Sequence, residues 1–195
     1  MSGFLDAPVL CGRLVRLEPL AATHAADLAE VVGDLSTKWT TLIPAPGEVA
    51  AEIERRLERA AAGLIVPWAI CRADTGRAVG MTTYLNIDEA NRRLEIGSTW
   101  LGPAAQGTGV NAEAKLLQLT RAFEVLDCIA VEFRTHWHNR QSRAAIERLG
   151  ARQDGVLRNH RRLPDGSLRD TVVYSITDRE WPAVRAGLRA RLARS

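Results

Sequence analysis

Cysteine is scarce in this chain, and what there is lies far apart: Cys11, Cys71 and Cys128, three in 195 residues. An odd number at such spacing argues against a disulfide framework and fits a reducing compartment, the cytoplasm. No Cys-x-x-Cys and no Cys/His quartet is present. His136-x-His138 is the one close histidine pair, two ligands where zinc normally takes three or four, so no metal is expected. No apolar run approaches the roughly 18 residues a bilayer span needs, which excludes a membrane role. Residues 1–9 lack a positive start and a long apolar stretch, so they are not a secretory signal. No repeat, low-complexity segment or linker interrupts the chain. The length fits one domain over 1–195, with a core over 12–181 and a terminal helix over 178–192. A strong charge of one sign is missing too: the net charge is +3. The basic residues gather at 158–169 and in the tail (Arg185, Arg189, Arg191, Arg194). The tail reads as the solvated face of a helix that buries Trp181, Val184 and Leu188, and nucleic-acid binding would need a denser patch.

What is there is an alternation of strand and helix signals. Strands are expected at 14–17, 66–72, 78–87, 93–101, 129–135, 155–162 and 168–176. Helices are expected at 23–32 with Thr23 as N-cap, at 48–62 ending on Gly63, at 112–126, at 141–149 ending on Gly150, and at 178–192. Asp74-Thr75-Gly76 and Pro164-Asp165-Gly166 mark hairpin turns. The order is β-α-α-β-β-β-α-β-α-β-β, an α+β pattern.

One run stands out: Gln106-Gly107-Thr108-Gly109-Val110-Asn111, between a strand and a helix. Its glycines let the backbone turn tightly and approach a ligand. The helix that follows presents free N–H groups and its positive end, a docking site for a phosphate or pyrophosphate. The run is too short for a Walker loop and lacks the third glycine of a dinucleotide fingerprint. A strand, then Gln-x-x-Gly-x-small, then a helix resembles the acyl-CoA pyrophosphate loop of the GCN5-related N-acetyltransferases (GNAT). Asn139-Arg140-Gln141-Ser142, closing in Glu147-Arg148-Leu149-Gly150-Ala151, is similar to the Asn-x-x-Ser segment of the branch containing the ribosomal-protein N-terminal acetyltransferases, RimJ/RimL-like. Glu95-Ile96-Gly97 with Trp100-Leu101-Gly102-Pro103 is also similar to that branch.

The resemblance implies a GNAT fold, a mixed, mostly antiparallel sheet of about six or seven strands flanked by helices. The sheet would splay between the strands near 93–101 and 129–135, where the pantetheine arm lies like an added strand. It implies acetyl-CoA as acyl donor, with Trp100, Leu101, Gln106, Gly107, Thr108, Gly109, Val110, Asn111, Asn139 and Ser142 toward the CoA. It implies an acceptor that is a primary amine, of a protein N-terminus or a small molecule, and a homodimer whose second subunit walls the acceptor site.

Acyl transfer from a thioester needs a neutral amine, a stabilised carbonyl oxygen and a leaving thiolate. Glu95, four residues before Thr99, is the candidate base or amine-binding carboxylate, or else a strand-surface partner of Arg93. Glu132 is the second candidate. The resemblance implies that a backbone N–H near Thr99, freed by a bulge, polarises the carbonyl; Gly97 is compatible with that bulge, or else is a packing glycine. Many relatives carry a tyrosine acid seven residues after the motif Asn; Ile146 stands there. Ser142 is the substitute hydroxyl, or else a local helix cap. Asn111 stands where the family prefers Gly or Ala; its side chain would either crowd the pyrophosphate or hydrogen-bond to it, with the backbone contact kept. Cys128 reads as core rather than nucleophile. Trp39, Trp68, Tyr84, Trp137, His136, His138, His160 and Tyr174 are candidates for the acceptor pocket. Two other readings stay open: a non-catalytic acyl-CoA sensor, from the missing tyrosine, and a ribosome- or RNA-associated protein, from the 158–169 cluster.

Overall fold

The computed structural model describes residues 3–194; Met1 and Ser2, at the head of the N-terminal stretch read above, and Ser195 lie outside the described residues. The strands are β1 (Leu10–Cys11), β2 (Val15–Pro19), β3 (Val66–Arg72), β4 (Ala78–Asp88), β5 (Arg93–Leu101), β6 (Ala130–His136), β7 (Arg152–Arg162) and β8 (Leu168–Thr177). The helices are α1 (Ala25–Val32), α2 (Val49–Ala61), α3 (Val110–Thr120, continued by a π turn over Arg121–Val125), α4 (Arg140–Glu147) and α5 (Trp181–Leu192). The strands form one sheet in the order β1-β2-β3-β4-β5-β6-β8-β7. All neighbours are antiparallel except β5 and β6.

The expected α+β architecture is observed, with eight strands rather than six or seven. The extra strand, β1, is two residues long and too short to show an alternating pattern. Thr23 is not a helix cap. It sits inside a 3-10 turn (Ala22–His24), and the His24 ring, not the threonine hydroxyl, accepts the Ala21 N–H at 3.1 Å.

Period-two alternation sorts the central strands between two cores. Trp68 and Ile70 point to one face with Tyr84, Leu119, Phe123, Trp181 and Leu188, under α3 and α5. Ala69 and Cys71 point to the other with Met81, Leu28, Val32, Val49 and Ile53, under α1 and α2. Trp68 and Tyr84 are therefore core residues, not acceptor-pocket residues. The Trp68 indole N–H donates to Pro8 O and the Tyr84 hydroxyl to Gln118 O. Cys128 is buried in the same core, as expected, and burial pushes its thiol up to about 12. The apolar face of α5 (Trp181, Val184, Leu188, Leu192) is buried within the chain and packs on α3, so it offers no face to a second subunit.

The feature that positions a site is the one parallel junction. β5 pairs with β6 only over Arg93–Glu95 with Ala130–Glu132. Beyond Glu95 and Glu132 the strands diverge, leaving a wedge between the rest of β5 and the rest of β6.

Candidate active site

A cleft of about 450 Å³ follows that wedge, from Gln106, Gly107 and Asn111 at one end to Glu95, Arg134, His160 and Arg169 at the other. A larger hollow, about 620 Å³, lies between α4 and α5 and contains none of the catalytic or CoA-loop residues singled out above.

The glycine run is built as its chemistry requires. Gly107 (φ +77) and Gly109 (φ +85) both adopt the left-handed conformation, and Gly109 is the residue from which α3 starts. A Cβ at Gly107 would meet nothing within 4 Å, so the loop faces open space. Gln106 clamps the turn: its amide donates to Leu101 O at 2.9 Å and accepts from Gln141 at 3.2 Å. Thr108 Oγ1 donates to Ala105 O. The start of α3 is fixed from behind by Glu113. Its buried carboxylate accepts the N–H groups of Arg13, Leu14 and Val15 at 2.5–3.0 Å. On the facing helix, Asn139 Oδ1 accepts the Ser142 N–H at 3.0 Å and so caps α4. The Ser142 hydroxyl is not the cap and has no hydrogen bond among the described residues. Ser142 and Ile146 both line the cleft.

In mid-cleft β5 bulges. Thr83 faces Gly97 and Met81 faces Trp100, so Thr82 stands opposite both Ser98 and Thr99. The left-handed residue is Ser98 (φ +47), not Gly97. Gly97 serves another purpose: a Cβ there would lie 2.8 Å from Glu95 Oε1 and 2.8 Å from Leu85 Cδ1, so the missing side chain makes room for the carboxylate. Arg56 of α2, buried, braces the bulge. Nη1 donates to Thr83 Oγ1 at 2.8 Å and reaches Ser98 O at 3.5 Å, while Nε donates to Glu52 at 2.7 Å. Behind the bulge lies Lys115 of α3, 5% exposed. Its Nζ donates to Thr82 Oγ1, Thr99 Oγ1 and Gln118 Oε1, each at 3.0 Å, three neutral oxygens and no carboxylate. Burial pulls its ammonium down to about 7.

At the far end Glu95, also 5% exposed, accepts from Asn86 Nδ2 at 2.7 Å and lies 3.5 Å from Arg134 Nε. Burial raises its carboxyl above the usual range, against the opposing pull of Arg134 and Asn86. The expected partner Arg93 is bonded to Glu132 instead. Glu132 also accepts from Arg134 at 2.8 Å, so it is tied into two ion pairs and does not line the cleft. His136 is buried. Its Nδ1 accepts the His138 N–H at 3.0 Å, which in the neutral ring leaves Nε2 as the protonated nitrogen, and Nε2 has no partner among the described residues. Burial lowers the His136 pKa, with Arg169 adding to it. Trp39 packs edge-on against His136 at 5.0 Å. Of the other aromatic candidates, the Tyr174 ring is core and its hydroxyl bonds Glu147 and Arg143. Trp137 stacks under Arg143 outside the cleft, whereas His160 lines it.

Glu95, Thr99, Trp100, Leu101, Gln106, Gly107, Asn111, Asn139 and Ser142 thus line one cleft; Thr108, Gly109 and Val110 shape its loop. Sequence reasoning missed Arg56, Lys115, Arg134, Arg161 and Arg169. A signal existed for two of them. Arg161 and Arg169 are placed symmetrically about Asp165, the centre of the hairpin turn, and are therefore cross-strand neighbours. The basic stretch also divides: Arg158 pairs with Asp170 outside the cleft, while Arg161 and Arg169 line it. Among the described residues one trio has metal-ligand composition, Glu18, His24 and Cys71. His24 Nδ1 accepts the Ala21 N–H, so in the neutral ring Nε2 carries the hydrogen and points it toward Glu18, 3.6 Å away, rather than offering a lone pair to a metal.

This fold agrees with known proteins. The family model described as an acetyltransferase (GNAT) domain matches residues 14–152. A GCN5-related N-acetyltransferase from Brucella melitensis is similar in structure, with TM-score 0.86 and 34% identity over 96% of this chain and 86% of that one. A provisionally assigned acetyltransferase of T. thermophilus gives TM-score 0.85 and 37% identity over 98% of this chain and all of that one. The Bacillus subtilis (strain 168) protein YdaF, provisionally described as a ribosomal N-acetyltransferase, is 33% identical over 120 residues, 62% of this chain and 60% of that relative's length. The chain belongs to the GNAT acetyltransferase family. Its class is N-acetyltransferase, with acetyl-CoA as acyl donor.

Proposed function

We propose that the chain, as a single catalytic domain, moves the acetyl group of acetyl-CoA directly onto a primary amine, with no covalent enzyme intermediate. The CoA pyrophosphate sits on the main-chain N–H groups of 107–111 at the start of α3. Its pantetheine arm runs along the unpaired part of β5, with Asn139 hydrogen-bonding an amide. The amine nitrogen attacks the thioester carbon while Glu95, directly or through one water, takes its proton. Backbone N–H at the Ser98–Thr99 bulge holds the carbonyl oxygen as it gains charge. The C–S bond breaks and the thiolate leaves, with the Ser142 hydroxyl donating to sulfur in place of the tyrosine that Ile146 replaces.

The observation that carries this reading is the meeting of three parts in the wedge where β5 leaves β6: a buried carboxylate, a backbone bulge and a glycine-started helix. A carboxyl raised by burial is a better base near neutral pH than an ordinary one. The reading further places the enzyme in the cytoplasm, consistent with buried, unpaired Cys71 and Cys128. It retains the homodimer, which light scattering with and without CoA decides; a single-chain mass in both would remove it. The central test is CoA release across peptide N-termini, amino acids, polyamines and aminoglycosides. Tight acetyl-CoA binding without turnover on any amine would replace the enzyme with an acyl-CoA sensor.

A further inference from the structure

The acceptor end of the cleft holds more positive charge than its own carboxylates neutralise. Register fixes which side chains share this face of the sheet. Glu95 faces Glu132 across β5 and β6, His136 faces Thr171 across β6 and β8, and Arg169 faces Arg161 across β8 and β7. Arg134 and His136 follow Glu132 at steps of two, and Arg169 precedes Thr171 by two, so all stand on one face.

Arg161 and Arg169 are a directly opposed like-charged pair, an arrangement that destabilises an antiparallel ladder. Among the described residues neither is within ion-pair distance of a carboxylate, although the Glu95 charge acts on both across the cleft. Arg169 is half-buried and its Nε donates to Thr171 Oγ1 at 3.0 Å; burial, then Arg161, lowers its pKa against the opposing pull of Glu95. The nearest carboxylate on β8, Asp170, is taken: it accepts from Arg158 Nε at 2.6 Å and from the Asn159 N–H at 2.7 Å. Those two bonds pin a bulge in β7, where Asn159 is left-handed (φ +49) and three residues face Asp170 alone. The bulge brings His160 Nδ1 to 3.1 Å from Thr171 Oγ1, in the cleft beside the arginines. In the same wall the buried His136 Nε2–H has no acceptor. Donors thus outnumber the acceptors here: the one carboxylate that lines this end of the cleft, Glu95, forms no ion pair with Arg161 or Arg169.

We infer that the acceptor is an amine bearing an anionic group, a carboxylate or phosphate a few bonds from the nitrogen, with the anion held by Arg161 and Arg169 and the amine by Glu95. An anion between the two guanidinium groups converts their repulsion into a shared pair of charge-assisted hydrogen bonds. The fixed positive charge also disfavours the ammonium form, so the amine reaches Glu95 readier to lose its proton. This inference rests on the acyl-transfer reading above and names the substrate class of that site.

The test uses matched acceptors that differ only in the anion: phosphoethanolamine against ethanolamine, glutamate against its diamide, and a Ser-Glu peptide against Ser-Gln. The first pair isolates phosphate, the second carboxylate on a small molecule, the third carboxylate on a peptide. The anionic member of at least one pair is expected to win by about ten- to hundredfold in kcat/KM, mostly through KM, with the margin shrinking as salt is added. In the Arg161→Gln/Arg169→Gln variant the ratio within that pair should collapse toward one. Uncharged members winning every pair, or a ratio that survives the variant, overturns the inference. Loss of CoA affinity in the variant would assign the arginines to the donor's phosphates and overturn it as well. Calorimetry of the same pairs on CoA-loaded protein separates the two readings. Anion-dependent binding without turnover would sink the catalytic reading and keep this one. Turnover without anion dependence would do the reverse.

Discussion

The two ends of the cleft are made from different material. At the end proposed for the donor the features that define the surface are main chain: left-handed Gly107 and Gly109, the first turn of α3, and an α4 capped by Asn139. Even its buried carboxylate, Glu113, is fully engaged with three backbone N–H groups and works as a fastening. At the acceptor end the groups are side chains drawn from four strands. Its buried carboxylate, Glu95, has one amide donor and one arginine at 3.5 Å. A carboxylate saturated with donors cannot take a proton usefully; one left short of them can. Backbone recognition tolerates side-chain exchange so long as the turn survives, whereas an acceptor site built from side chains changes its substrate with each of them. That division suits a family with a common donor and varied acceptors.

The largest effect should come from removing the acceptor-end carboxylate. Glu95→Gln keeps shape and hydrogen bonding and loses basicity, so the rate at neutral pH should fall about 10²–10⁴-fold. Recovery should be partial at high pH, where free amine is abundant. In the unaltered enzyme the acid limb should lie above the ordinary carboxylate range, because burial raises Glu95. CoA affinity should hold. A pH–rate profile of both proteins checks this, and a Gln variant with the parent's rate and profile would reduce Glu95 to a structural partner of Asn86 and Arg134.

The donor end should fail differently. Gly109→Val puts a β-branched side chain at φ +85 and over the start of α3. CoA affinity should drop by about tenfold or more, roughly 1.4 kcal/mol, with little effect on the acid limb. Calorimetry with CoA on a variant shown to be folded decides it; unchanged affinity would move the pyrophosphate off this loop.

These two ends were also unequally legible. The glycine run, its helix and the Asn-x-x-Ser segment could be read because local turn chemistry is written in consecutive residues. Strands and helices were read for the same reason, save β1, which at two residues has no period to show. The bulge in β5 was anticipated near Thr99, with Gly97 read either as part of it or as a packing glycine; the structure gives Gly97 the packing role. The left-handed residue is instead Ser98, whose carbonyl Arg56 reaches at 3.5 Å from a helix about 40 residues away in sequence, a contact no local pattern encodes. Trp68 and Tyr84 were misplaced because a strand buried on both faces gives no alternation to say which side a ring takes. Arg134, Arg161 and Arg169 meet Glu95 only through sheet order, which local patterns do not encode.

Between the ends stands Ser142, whose hydroxyl has a place in the cleft but no fixed partner. Ser142→Ala should cost about tenfold or less in kcat, because a thiolate is a tolerable leaving group and one hydrogen bond is worth roughly 1 kcal/mol. A loss as large as that of Glu95→Gln would make Ser142 the principal proton donor and shift the weight of the chemistry toward the leaving group.

The smallest effect, and the one that probes the junction itself, concerns Lys115 beneath the bulge. Its ammonium titrates near 7 in the folded protein against 10.5 for an unperturbed lysine, because burial disfavours the charge and only neutral oxygens surround it. Below about pH 7 both folded and unfolded chains hold the proton, and the fold carries the full cost of a buried cation. Between about 7 and 10.5 the unfolded chain holds a proton that the folded one has released, so stability rises with pH through that window. Above it the cost is gone. Lys115→Met keeps the length of the side chain and removes the charge, at the loss of one donor to Thr82, Thr99 and Gln118. The variant should therefore unfold at a higher denaturant concentration than the parent at pH 6–7, by on the order of 1 kcal/mol after those lost bonds are counted. Its advantage should shrink steadily toward pH 10. Urea midpoints at intervals of one pH unit check both sign and slope. An advantage that does not change with pH would mean the lysine is not the titrating group. A variant less stable at every pH would mean that the three hydrogen bonds under the bulge outweigh the buried charge, making Lys115 a fastening of the same kind as Glu113.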